Sequence, residues 1–178
     1  MPYPAHLLEQ AKHLANREKK RPRQASLRRA VSTACYALFQ LLVHEATLNW
    51  KRVDQRALLA RFFEHGKMKA ASEKQRGDLN SYFKTNPAPS PELDCARHLH
   101  RVADTLFQSQ QQRHTADYDN SKTWARTEVL TLIDLVEAAF ESWHSIREET
   151  TAQAYLISLL GNPKGTQASS ALTAFTCG

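Results

Sequence analysis

Residues 24–50 read QASLRRAVSTACYALFQLLVHEATLNW, and this stretch decides the fold class. Leu27, Ala30, Val31, Ala34, Leu38, Leu41 and Leu42 recur at helical spacing and define one face. Cys35, Tyr36, Phe39 and Val43 widen that face. A helix that is apolar around most of its circumference belongs at the centre of a bundle. The neighbouring sequence supplies its partners. Upstream, Leu7, Leu8, Ala11, Leu14 and Ala15 form the stripe of a helix over residues 4–18, and Pro22 ends it.

Downstream, Leu58, Leu59, Phe62 and Phe63 predict a helix over residues 54–65 with those side chains inward, stopped by Gly66. A shorter helix is expected over residues 72–83. Three prolines in KTNPAPSPEL (84–93) make a loop, and Ser90-Pro91-Glu92 is a helix start with Ser90 as cap. That helix reaches Tyr118 on a stripe of Cys95, Leu99, Val102 and Leu106. Asp119-Asn120-Ser121 forms a turn. A last helix is expected over residues 122–160, with Val129, Ile133, Val136, Phe140 and Trp143 inward. No strand pattern competes. The expected fold is all-α, an antiparallel bundle of five to six helices over residues 1–160, followed by a mobile tail over 161–178.

The whole chain has 178 residues, within the range of one domain, and a formal net charge of +6. That charge is local. Residues 17–29, REKKRPRQASLRR, hold seven basic residues and one acid, and the rest is balanced at 17 of each sign. A concentrated basic patch points to an anionic partner such as nucleic acid, and otherwise to a solvated helix corner. Lys19, Lys20, Arg21 and Arg23 are the candidates for outward contacts. Residues 51–76 add eight basic residues against three acids. They include HGKMK, where His65 and Lys67 are secondary phosphate-contact candidates. Trp50, Phe62 and Phe63 fall at helical core spacing and read as core rather than as stacking platforms.

Several chemistries find no support. There is no glycine-rich phosphate loop, no GxSxG and no HExxH. His98 and His100 lie on different sides of one helix and cannot chelate a metal together. Cys35, Cys95 and Cys177 are far apart and offer neither CxxC nor zinc spacing. No metal and no cofactor is expected. Free thiols, the lack of a secretory signal and the lack of a membrane-length apolar run favour a cytoplasmic location without membrane partners.

The segment richest in chemistry is RHTADYD, residues 113–119. Arg113 and Asp117 are four apart and share a helix face, and His114 and Tyr118 share the adjacent one. A guanidinium, an imidazole and a phenol at a helix end can bind phosphate or move protons. The structural alternative pairs Arg113 with Asp117 and uses Tyr118 as an anchor. On the central helix, Arg29, Ser32 and Tyr36 lie along one face. Buried polar groups there need partners, which Asp117 or Tyr118 could supply. Arg29 in particular is expected to pair with Asp117. A buried polar network that fixes helix register is the competing reading.

RRAVSTACYALFQLL (28–42) resembles the helix-two pattern of HEPN domains, the "higher eukaryotes and prokaryotes nucleotide-binding" family. RHTADYD resembles the R..ADYD signature of HEPN-like bacterial proteins, and residues 121–147 resemble that family's last helix. The likeness spans residues 25–160. It implies an all-α bundle that dimerises. It also implies either RNA or nucleotide binding without turnover, or metal-independent ribonuclease activity in a toxin paired with a nucleotidyltransferase-like antitoxin, or a role in defence. The nuclease signature is Arg, four to six residues, then His, and no pair in this chain has that spacing. Cys35 stands where the family's first Tyr falls, and Gln40 where His is common. Arg113 and His114 are the catalytic candidates if cleavage occurs. Arg113 would hold the scissile phosphate and His114 would act as acid or base on a 2′-hydroxyl nucleophile. A protein-interaction adaptor is the third reading.

Overall fold

The computed structural model describes residues 3–161. Among them are seven α-helices, one 3-10 turn and no strand, an all-α helical bundle. The helices are α1 (Tyr3–Asn16), α2 (Gln24–Leu48), α3 (Arg56–Ala60), α4 (His65–Thr85), α5 (Pro91–Tyr118), α6 (Arg126–Ile146) and α7 (Thr150–Ser158). The 3-10 turn, Val53–Gln55, leads into α3. The expected tail over 161–178 lies, but for Gly161, outside the described residues.

The contacts divide the chain into two compact units. Among the described residues, one comprises residues 3–42 and 105–141, the other residues 43–104 and 142–161. The first unit contains α1, the N-terminal part of α2, the C-terminal part of α5 and most of α6. Leu8, Ala11 and Ala15 of α1 are buried, as are Leu27, Ala30, Val31, Ala34 and Leu38 of α2. Leu106 of α5 and Val129, Ile133 and Val136 of α6 complete its core. Burying each large aliphatic side chain contributes about 1.5–3 kcal/mol, so the apolar stripes are the main source of stability. Lys12 on α1 bridges to Glu137 on α6 at 2.6 Å.

The second unit packs Phe63, Met68, Leu79, Leu93, Leu99, Val102, Trp143, Tyr155, Leu156 and Leu159. Ser72 of α4 and Tyr155 of α7 share a fully buried hydrogen bond of 2.8 Å. Ser90 caps α5 as its sequence predicts, accepting from the Leu93 N–H at 3.1 Å.

Three expected boundaries are corrected. The helix expected over 54–65 shrinks to a 3-10 turn and the five residues of α3. Of the row expected inward, Leu58, Leu59, Phe62 and Phe63, only Phe63 is buried; Leu59 is half-buried, Leu58 and Phe62 are exposed, and so is Trp50, likewise expected in the core. Gly66 does not stop a helix but lies inside α4, which begins at His65. The helix expected over 122–160 starts at Arg126 and breaks after Ile146. Glu149 is extended there, and the Gln153 side chain donates to the Arg147 carbonyl. The break turns Tyr155, Leu156 and Leu159 into the core of the second unit.

Candidate nucleic-acid interface

In the first unit, α2 and α5 meet along one polar row in an otherwise apolar contact. Arg28, Ser32 and Cys35 sit four and three residues apart, hence on one face of α2. Arg28 reaches the C-terminal end of α5. Its guanidinium donates to the carbonyls of Ala116 at 2.8 Å, Asp119 at 2.8 Å and Lys122 at 2.7 Å. The last carbonyls of a helix lack intrahelical partners, and a cation there also meets the negative end of the helix dipole. Ser32 Oγ donates to Asp117 Oδ1 at 2.5 Å. The Cys35 thiol hydrogen-bonds Ser109, and burial pushes its pKa up to about 11. Partner numbers fall along α5 as residue numbers rise along α2, so the two helices run antiparallel here.

Arg113 lies beneath this row. Its side chain is only 17% exposed and pairs with Asp117 at 3.6 Å. Its guanidinium stands 5.7 Å from the centre of the Tyr36 ring, a cation–π contact. Its Nε is buried and has no hydrogen-bond partner. Asp117 therefore joins Ser32 and Arg113, not Arg29. Arg29 points outward and is exposed. His114 is exposed, with its ring 5.0 Å from that of Tyr118, which is exposed at the end of α5.

The basic corner over residues 17–23 is fixed through its backbone. Arg126, at the start of α6, donates to the carbonyls of Glu18 and Lys19. The Glu18 carboxylate accepts from Ser26 Oγ at 2.9 Å and from the Arg23 N–H at 3.3 Å. Desolvation raises the Glu18 pKa, but the Ser26 and Arg23 hydrogen bonds and the charges of Arg23 and Arg17 outweigh it. The carboxyl ends below its ordinary value. Gln24 brackets Trp124, donating to its carbonyl at 2.9 Å and accepting from its N–H at 2.8 Å. The consequence is a pinned backbone with outward side chains: Arg17, Lys19, Lys20, Arg21 and Arg23 are all exposed.

Corner, Arg28 clamp and RHTADYD segment thus belong to one unit, joined through Gln24, Arg28 and Arg126. His65 and Lys67 belong to the other unit. His65 opens α4, and Lys67 pairs with Glu64 at 2.6 Å. Among the described residues no group of three or more His, Cys, Asp or Glu could hold a metal ion. No described helix is long and apolar enough to cross a membrane.

The chain has no match among protein-family models, curated proteins or solved structures.

Sequence reasoning missed Arg28 and Arg126. It chose the row Arg29, Ser32, Tyr36, whereas the row that faces α5 is Arg28, Ser32, Cys35. Both rows have helical spacing. The available signal was Cys35, an apolar residue three positions beyond Ser32, which marks the inward side of the polar row.

Proposed function

We propose that this chain is a HEPN-like module that binds RNA, or a smaller nucleotide, through the exposed cations of residues 17–23, without turnover. The observation that carries this reading is the corner itself. Five basic side chains project from a backbone held by Arg126, Glu18 and Gln24; the charges of Arg17 and Arg23 act on the Glu18 carboxylate, and Lys19, Lys20 and Arg21 add three more exposed cations around that single acid. Phosphate contacts of this kind release counterions and supply most of the affinity of sequence-tolerant binding. The resemblance of residues 28–42 and 113–119 to HEPN signatures supports RNA over other polyanions. It also supports a homodimer, a nucleotidyltransferase-like partner and a role in a toxin–antitoxin or defence system. The buried thiols Cys35 and Cys95, both free, suit a reducing cytoplasm. Titration of labelled single-stranded RNA with the wild type and with Lys19→Glu/Lys20→Glu/Arg21→Glu/Arg23→Glu tests the reading. Folding should persist and affinity should collapse, and unchanged affinity overturns it.

One observation favours a ribonuclease as the second reading: His114 is exposed beside Arg113. Against it, Arg113 is engaged by Asp117 and Tyr36, which leaves it poorly placed to grip a scissile phosphate. Cleavage of RNA in EDTA by the wild type, lost in both His114→Ala and Arg113→Ala, would install this reading. No cleavage by any of the three removes it.

A further inference from the structure

The described residues expose ten large hydrophobic side chains, and five of them fall within residues 48–62. These are Leu48 at 43% exposure, Trp50 at 47%, Val53 at 68%, Leu58 at 58% and Phe62 at 59%. Singly scattered exposed apolar residues need no explanation, but five within one short stretch of chain call for one. The stretch is held in shape by its own polar groups. Arg56 donates to the Trp50 carbonyl at 2.9 Å and to the Leu48 carbonyl at 3.0 Å. The Trp50 indole N–H donates to Gln55 at 3.1 Å. Leu58 lies in α3, and Phe62 sits in the turn just past its end, where its N–H donates to the Leu59 carbonyl at 3.0 Å. The stretch also carries Lys51, Arg52, Arg56 and Arg61 against one acid, Asp54, which Arg52 pairs at 3.3 Å.

We propose that residues 48–62 dock on the surface of an anionic phospholipid bilayer. Trp, Phe, Leu and Val set among lysine and arginine match a segment that seats its apolar side chains at the headgroup boundary while its cations meet anionic lipid. Tryptophan is at home at that depth. The charge argues against a second copy of the chain, because an isologous contact would bring like charges together. Leu48, Val53 and Leu58 have no π-face on which a base could stack, which disfavours single-stranded RNA. A surface contact of this kind needs no membrane-crossing helix. It is independent of the RNA reading, which rests on the other unit.

The full chain supplies its own reporter. Trp124 and Trp143 are buried at 2% and 0% exposure, so a change in tryptophan emission on binding reports Trp50. Vesicles of phosphatidylserine and phosphatidylcholine should pellet the protein and shift its emission to the blue, and vesicles of phosphatidylcholine alone should do neither. Leu58→Ser/Phe62→Ser changes only exposed residues and should weaken binding at least about tenfold with thermal stability retained. Trp50→Phe should still pellet but lose the shift. Lys19→Glu/Lys20→Glu/Arg21→Glu/Arg23→Glu, which tests the RNA site, should leave the shift intact. The proposal is overturned by absence of binding to the anionic vesicles, or by binding that Leu58→Ser/Phe62→Ser leaves undiminished. It is equally overturned if polyuridylate RNA quenches Trp50 while vesicles do not, or if lipid-free protein is a dimer that the serine variant makes monomeric.

Discussion

Ser32 Oγ donates to Asp117 Oδ1 at 2.5 Å and thereby ties the central helix to the last turn of α5. The same carboxylate faces Arg113 at 3.6 Å, so a single acid satisfies a hydroxyl on one helix and a guanidinium on the other. Ser32 is 3% exposed, and the Asp117 side chain 26%. Ser32→Ala should cost about 1.5–3 kcal/mol, the range for a hydrogen bond to a charged group. Asp117→Asn should cost at least as much, since the amide can still accept from Ser32 but no longer carries the charge that faces the Arg113 guanidinium. Urea denaturation of the two variants checks the order.

Arg28 and Arg29 should behave very differently despite being neighbours. Arg28 serves three carbonyls at the end of α5 and in the turn that follows, whereas Arg29 is exposed. Arg28→Met should destabilise by about 2–4 kcal/mol, and Arg29→Met should stay within about 0.5 kcal/mol. Arg28→Lys should recover only part of the loss, because an ammonium lacks the planar fork that reaches divergent acceptors. Thermal melts of the three variants are sufficient.

These two arginines also show how far the sequence could be read. The apolar stripes of α2 and α5 and the Ser90 cap were legible because each rests on local spacing and local turn chemistry. Which of two adjacent arginines faces α5 depends on helix rotation, fixed by packing around Cys35 and Ala34 rather than by spacing. The break after Ile146 carries no proline or glycine to announce it, and beyond it Tyr155 hydrogen-bonds Ser72 on α4. Phe62 and Leu58 have the spacing of a core face, yet five residues of helix end before any partner covers them. Long-range packing decides each of these points. The placement of Arg113 beside Asp117 was legible from their four-residue spacing. The Tyr36 ring over its guanidinium was not, because that contact crosses between helices.

Stability should fall on mild acidification through His100. Burial lowers its pKa below the ordinary 6.5, and Arg76 adds to this while Asp104 opposes it. Its Nε2 is buried without a hydrogen-bond partner, and its ring lies 5.5 Å from Phe83. With the folded pKa depressed, the unfolded chain binds more protons between the two pKa values. The fold is therefore favoured by His100 above pH 6.5 and loses that advantage as pH falls below it. Denaturation midpoints collected from pH 8 down to about 5 should decline in the wild type and decline less in His100→Gln. Parallel curves would remove His100 from the account.

The central claim is that the pinned corner over residues 17–23 contacts phosphates. Its most direct test is the salt dependence of single-stranded RNA affinity, compared between the wild type and Lys19→Glu/Lys20→Glu/Arg21→Glu/Arg23→Glu. Each lost phosphate contact should flatten the slope of log K against log salt by about 0.7, so removing four should flatten it by roughly 3 and weaken binding at low salt. Equal slopes for the two proteins, or no RNA binding by the wild type, would contradict the claim.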